Sequence, residues 1–265
     1  MAVKLLFLGT GAADWPRDRA GVAPDDRRTR RYSSAMTNGG LLIDPGPHIY
    51  DYAGSLGTPD MFRGIRTVAV THSHHDHLDR RSLFRLAAGA EHRIDIFADA
   101  GVFRRLGELP PELVPHEVKP GAAEETDGYV LMPCRSNHDL YFTGEQTLNW
   151  IVTEKSSGRS FFYGADSGWI MYDTWQLIRK AKPNAVVFEA TLGDVPGDDR
   201  VFGHTSVPMI AIMLETMRKQ KGIADGAKII TTHMARTLHG THEETAALLA
   251  PLGAVPAYDG FETEI

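Results

Sequence analysis

The chain has 265 residues, 42% of them hydrophobic, with 34 acidic residues against 28 Lys and Arg and a formal net charge of −6. That balance suits a globular protein with a sizeable core and gives no general electrostatic pull towards nucleic acid or an anionic membrane. The single cysteine, Cys134, excludes an intrachain disulfide.

The opening Met1–Leu8 leaves too little room before Gly9-Thr10-Gly11 for a secretory leader, and Val3–Leu8 reads as a first strand. Gly11–Arg31 is long, charged and irregular, either a mobile loop or part of a substrate mouth. Strands are expected over Gly40–Ile43, ended by the turn residues Asp44-Pro45-Gly46-Pro47, and over Thr67–Val70 and Ile94–Phe97. Tyr129–Met132 is expected to stop at Pro133. Leu148–Val152 and Ser160–Tyr163 flank a hairpin turn at Lys155–Arg159, and Ala185–Phe188 and Lys228–Thr231 are late strands. Helical periodicity predicts helices over Thr174–Lys182, Val207–Gln220 and His242–Leu249. Early strands are hairpin-like and later ones alternate with helices, so sheets packed together with helices outside are expected. With no repeat or linker, residues 1–265 read as one domain. No apolar stretch approaches membrane-spanning length, and the cytoplasm is the expected location.

The most informative segment is Thr71-His72-Ser73-His74-His75-Asp76-His77-Leu78. So many imidazoles and carboxylates need partners, and a divalent metal satisfies several at once. The run follows the strand signal of Ile65–Val70 and precedes Asp79, an N-cap for a helix beginning at Arg80. Ligands would therefore sit on a loop at the carboxyl end of a strand. His138, Asp166 and His233 each follow an apolar strand as well, so they can converge on the same place without being neighbours in sequence. His75, His48, His92, His116, His239 and His242 are expected to be structural or solvated.

His72-x-His74-x-Asp76-His77, then a lone histidine, an aspartate in a Gly-rich turn and a late Thr-His resembles the metallo-β-lactamase superfamily, over nearly the whole chain. The resemblance implies an α/β fold, a four-layer αββα sandwich. It implies two divalent ions, zinc or manganese: one held by His72, His74 and His138, the other by Asp76, His77 and His233, with Asp166 bridging. Asp44 would orient a metal-binding histidine, unless it is a plain turn residue. A pair of bridged cations lowers the pKa of a water they share and supplies a hydroxide nucleophile.

Phe188-Glu189-Ala190-Thr191 and Gly203-His204-Thr205-Ser206 resemble elements of the phosphodiesterase branch, which includes tRNase Z and the phosphoribosyl cyclic phosphodiesterases. The resemblance makes His204 the general acid and counts Asp76 with it as catalytic. Arg30-Arg31-Tyr32-Ser33-Ser34 also resembles that branch, which makes Arg31, Ser33 and Ser34 expected substrate contacts. The end Tyr258-Asp259-Gly260-Phe261-Glu262 is similar to the terminus of the cyclic phosphodiesterases. Three features depart from these relatives. Asp14–Arg19 has no cysteine-rich zinc knuckle, no basic arm for tRNA is present, and the superfamily glycine after the histidine motif is replaced by Leu78-Asp79. The expected substrate is a small, perhaps cyclic, phosphodiester rather than nucleic acid. A lactone or carboxylic ester hydrolase and a non-catalytic metal-dependent sensor are the alternatives. A homodimer is expected by resemblance alone.

Overall fold

A computed structural model describes residues 3–19, 21–38, 40–140 and 144–265; Met1, Ala2 and, within the expected loop, Ala20 lie outside them. In chain order the first half contains β1 (Lys4–Gly9), β2 (Ser34–Thr37), β3 (Leu41–Ile43), α1 (Ile49–Ser55), β4 (Thr67–Ala69), α2 (Arg80–Gly89), β5 (Ile94–Ala98), α3 (Ala100–Leu106), β6 (Leu113–Glu117) and β7 (Glu124–Glu125). The second half contains β8 (Tyr129–Leu140), β9 (Glu145–Glu154), β10 (Ser160–Gly164), α4 (Tyr172–Ala181), β11 (Ala185–Glu189), α5 (Val207–Lys219), β12 (Lys228–Thr232), α6 (His242–Leu249), β13 (Ala254–Pro256) and β14 (Glu262–Glu264).

The strands form two seven-stranded sheets, ordered β14-β1-β2-β3-β4-β5-β6 and β13-β12-β11-β10-β9-β8-β7. Each sheet joins an antiparallel part to a parallel one: β3 to β6 run parallel, and so do β10 to β13. Central strands are buried on both faces, as β10 and β11 are along their whole length, which is why they read as unbroken apolar runs.

Three cores account for the layers. Between the sheets lie Leu5, Phe7, Leu41, Leu131, Trp150 and Tyr163. Ile49, Leu83 and Val102 of α1, α2 and α3 pack on the outer face of the first sheet. Ile178 of α4, Ile210 and Leu214 of α5 and Leu249 of α6 cover the second. The result is the expected αββα sandwich.

Local signals explain most boundaries. Asp79 caps α2 by accepting from the Ser82 amide at 2.8 Å. Thr241 and Glu244 form a capping box that starts α6. The β9–β10 hairpin turns where expected, with Gly158 at φ 67°, a left-handed conformation that favours glycine. Pro133 does not end its strand. It sits inside β8 opposite Trp150, while β7 pairs only with Val130 and Leu131. At Pro133 the β7 side has no partner strand, and proline is tolerated at such an edge. The strand then bulges between Arg135 and Asp139, so His138 lies within β8 rather than on a loop after it. Among the described residues, no helix is long and apolar enough to cross a membrane.

Trp150 is among the largest fully buried side chains, and its indole N–H has no partner. Trp150→Ala should cost about 3–5 kcal/mol through the cavity it leaves. Trp150→Phe, which removes the unsatisfied donor with less volume, should cost clearly less. Urea unfolding midpoints at constant m-value report the difference.

Candidate metal centre

The parallel strands of both sheets deliver polar residues to one place. Asp44 follows β3, the His72–His77 turn follows β4, Asp166 follows β10, Glu189 ends β11 and His233 follows β12. His138 enters from β8, within its bulge. Carboxyl ends of parallel strands are where such folds gather their working side chains.

The seven expected ligands fall into two groups that share Asp166: His72, His74, His138 and Asp166, and Asp76, His77, Asp166 and His233. In the first, His74 Nδ1 lies 2.9 Å from His72 Nε2 and 3.2 Å from His138 Nε2. In the second, Asp76 Oδ2 lies 3.5 Å from His77 Nε2 and 3.4 Å from His233 Nε2. A single oxygen, Asp166 Oδ2, faces both groups, at 3.2 Å from His72 Nε2, 3.5 Å from His138 Nε2, 3.3 Å from His77 Nε2 and 3.7 Å from His233 Nε2.

Four of the imidazoles are fixed from behind. His77 Nδ1 donates to Asp44 Oδ2 at 2.9 Å. His138 Nδ1 donates to the Gly203 carbonyl at 3.1 Å. Thr71 gives its hydroxyl proton to Asp44, so its oxygen accepts from His72 Nδ1 at 3.0 Å. Thr191 donates to the His233 carbonyl and accepts from His233 Nδ1 at 2.8 Å. With the proton on Nδ1, each Nε2 presents a lone pair to the centre, the tautomer a metal ligand needs. His77 Nε2 is buried with no hydrogen-bond partner. A nitrogen so placed, facing carboxylate oxygens and other ring nitrogens, fits a cation. Histidine and carboxylate without thiolate suit zinc or manganese.

The electrostatics differ between the two groups. Burial pushes His72 well below its ordinary pKa, and burial together with His138 takes His74 down to about 4. Burial also opposes charge on His77, but Asp76, Asp166 and Asp44 outweigh it and raise its pKa. Burial would raise the Asp166 pKa, yet His138, His233 and His204 hold it well below the carboxylate range.

His204 stands beside this cluster. Its Nδ1 lies 2.9 Å from Asp166 Oδ1 and 3.0 Å from Glu189 Oε1. Burial alone would lower its pKa, but these two carboxylates raise it to about 11. Glu189 is fixed in turn by the amides of Ser167, Thr205 and Thr191 at 3.2, 2.9 and 2.7 Å. Glu189, His204 and His233 form a third group able to hold an ion.

A cavity of about 320 Å³ opens over the cluster, lined by His74, Asp76, His138, Asp166, His204 and His233 among others, with Ala12, Ala13 and Asp14 on one side. Part of the Gly11–Arg31 stretch therefore does reach the site. The expected substrate contacts do not. Arg31 is only 1% exposed and donates from Nη2 to the Val22 carbonyl at 2.8 Å, with Asp259 3.5 Å from Nη1. Ser33 and Ser34 are buried and give their hydroxyl protons to the carbonyls of Gly11 and Ile43. All three hold the loop to the sheet, and none lines the cavity. The residue that does line it is Arg200, on a 3-10 turn at Asp199–Phe202, where no sequence pattern marks it. Glu145 was missed too: it fixes the histidine turn by accepting from the Ser73 amide and hydroxyl, both at 2.6 Å. His75 is exposed at the rim, edge-on to Tyr32.

A family model described as "Beta-lactamase superfamily domain" matches residues 40–254. Solved structures share the fold. YhfI from Bacillus subtilis, a metallo-beta-lactamase fold protein, is 18% identical with TM-score 0.73, covering 100% of both chains. Zn(2+)-bound PqqB from Methylobacterium extorquens is 16% identical with TM-score 0.72, covering 99% of this chain and 100% of its own. The short form of human tRNase Z is 20% identical with TM-score 0.67, covering 98% of each. A search of the curated proteins finds no match.

Asp44→Asn keeps the shape and a side chain tolerant of the left-handed backbone at this position, φ 56°, but removes the charge behind His77. Metal affinity should fall about 10- to 100-fold, measured by competition with a chromogenic chelator.

Proposed function

This chain belongs to the beta-lactamase superfamily, and from that premise we propose that it is a metal-dependent hydrolase of small phosphodiesters. The observation that supports this reading best is His204, an imidazole held between two carboxylates at the edge of a cavity already lined by two ligand groups.

Under this reading His72, His74 and His138 hold one divalent ion, Asp76, His77 and His233 a second, and Asp166 both. Bound there, two cations supply a water of lowered pKa and neutralise charge on a phosphoryl oxygen. The protein's own groups do the rest. Asp76 lines the cavity, and on this reading it accepts a proton from the attacking water. His204 Nδ1 hydrogen-bonds to Glu189 Oε1 and lies 2.9 Å from Asp166 Oδ1, which leaves Nε2 to deliver its proton to the leaving oxygen. Arg200 is the one Lys or Arg among the described residues lining the cavity. Its pairing with Asp198, at 2.8 and 2.6 Å, presents a positioned guanidinium to a non-bridging oxygen. A cavity of about 320 Å³ suits a small molecule.

A proton donor matters most when the leaving alkoxide is basic. His204→Ala should therefore slow hydrolysis of alkyl phosphodiesters by about two orders of magnitude or more, and bis-p-nitrophenyl phosphate, with its acidic leaving group, much less. A carboxylic ester or lactone hydrolase would tolerate the change on its own substrates. Faster turnover of lactones than of any diester would sink the proposal. Chelator, and Asp166→Ala, should abolish both diester activities.

Glu189→Gln removes one of the charges that keep His204 protonated. The acid form is present below the His204 pKa and lost as pH rises through it, so the alkaline limb of the kcat profile should move to lower pH. An unmoved limb with reduced kcat would leave Glu189 with a structural role only.

A further inference from the structure

Next to the metal cavity lies a larger one, about 530 Å³ in volume. The chain segments Asp14–Trp15 and Ala235–Arg236 form the wall between them, each giving one residue to either side. The larger cavity is lined by Arg19, Arg27, Arg28, Arg30 and Arg236, against a single carboxylate, Glu243. Most of these guanidiniums have partners. Arg30 Nη1 donates to Thr10 Oγ1 and the Ala257 carbonyl, and Nη2 reaches His242 Nδ1 at 3.4 Å. Arg28 is bound to Asp26, Arg236 Nε to the Asp14 carbonyl at 3.3 Å, and Arg27 stacks 4.3 Å over Tyr258.

Arg19 is different. It is only 5% exposed, and its Nε and Nη2 have no hydrogen-bond partner among the described residues. Trp15 lies 5.6 Å away as an aromatic wall. A buried guanidinium with two free donors is costly unless an acceptor completes it. The nearby buried carboxylate, Asp259, is engaged by the Arg31 amide at 2.6 Å and Thr10 Oγ1 at 2.9 Å. Burial depresses the pKa of Arg19, and takes that of Arg30 down to about 10, against the pull of this one carboxylate. The chemistry lacking here is a multiply charged oxyanion that can accept from several planar donors, and phosphate has that form.

We propose that the arginine-lined cavity binds a phosphate group, free or carried on a small organic molecule, with Arg19 as its principal ligand. This inference does not depend on the hydrolytic reading, and its test separates the two. Inorganic phosphate and glycerol 3-phosphate are titrated calorimetrically, at fixed ionic strength, into the metal-loaded protein and into His138→Ala, which disables the metal centre. His138→Ala should keep a phosphate site, and Arg19→Met should weaken that site at least tenfold. Arg27→Met, an exposed change that leaves the fold intact, should weaken it several-fold and serves if Arg19→Met does not fold. Equal affinity for both probes marks free phosphate as the ligand, and tighter glycerol 3-phosphate marks a carried group. Loss of all phosphate uptake in His138→Ala, or unchanged uptake in both arginine variants, overturns the proposal.

Discussion

Ring nitrogens that each turn a lone pair inward, at about 3 Å from one another, repel unless positive charge lies among them. That constraint organises the centre. His72, His77, His138 and His233 cannot relax by sharing protons across the gap, because Thr71, Asp44, Gly203 and Thr191 already hold their Nδ1 protons on the far side. Asp166 answers both groups with one oxygen and shows the other to His204. The arrangement suits a cation. The same carboxylate thereby ties the metal ligands to the proposed proton donor.

Geometry this tight is held by strained backbone. Among the described residues five non-glycine residues have positive φ, and three of them, Asp44, Asp166 and His233, stand at the centre with φ between 53° and 56°. Each comes one or two residues after a parallel strand, where the left-handed turn swings its side chain back over the strand end. Such residues persist only where their surroundings fix them. Asp44 accepts from the Thr71 amide at 2.7 Å, the Asp166 carbonyl accepts from Ser136 Oγ at 3.0 Å, and the His233 carbonyl accepts from Thr191 Oγ1 at 2.9 Å. The strain is local and the restraints come from other strands of the same sheet or the turns at their ends, so the sandwich supplies rigidity where the loops need it.

Much of this is legible in the sequence. Strands buried on both faces announce themselves as apolar runs, and a histidine-rich turn after one of them has few structural uses. The capping residue Asp79 marked a helix start because its side chain replaces a missing backbone acceptor. What stayed hidden depended on partners distant in sequence. Ser34–Thr37, Leu113–Glu117 and Ala254–Pro256 form strands only because a neighbour's edge is waiting. Pro133 looked like a terminator because its missing N–H matters only when a strand lies on that side. Arg31, Ser33 and Ser34 have the chemistry of anion binders, but their donors are used on Val22, Gly11 and Ile43. Arg200 and Glu145 gave no signal at all, since a charged residue outside any motif looks like any other.

The second ligand group is assembled from residues far apart in time as well as in sequence. His233 lies 157 positions after Asp76, the carboxylate it faces at 3.4 Å. At ribosomal speeds that separation is roughly 10–30 s of elongation. For that interval a nascent chain exposes an unfinished chelating turn with neither β12 nor its histidine to close it. This group of ligand-type side chains can therefore close only after most of the polypeptide has emerged.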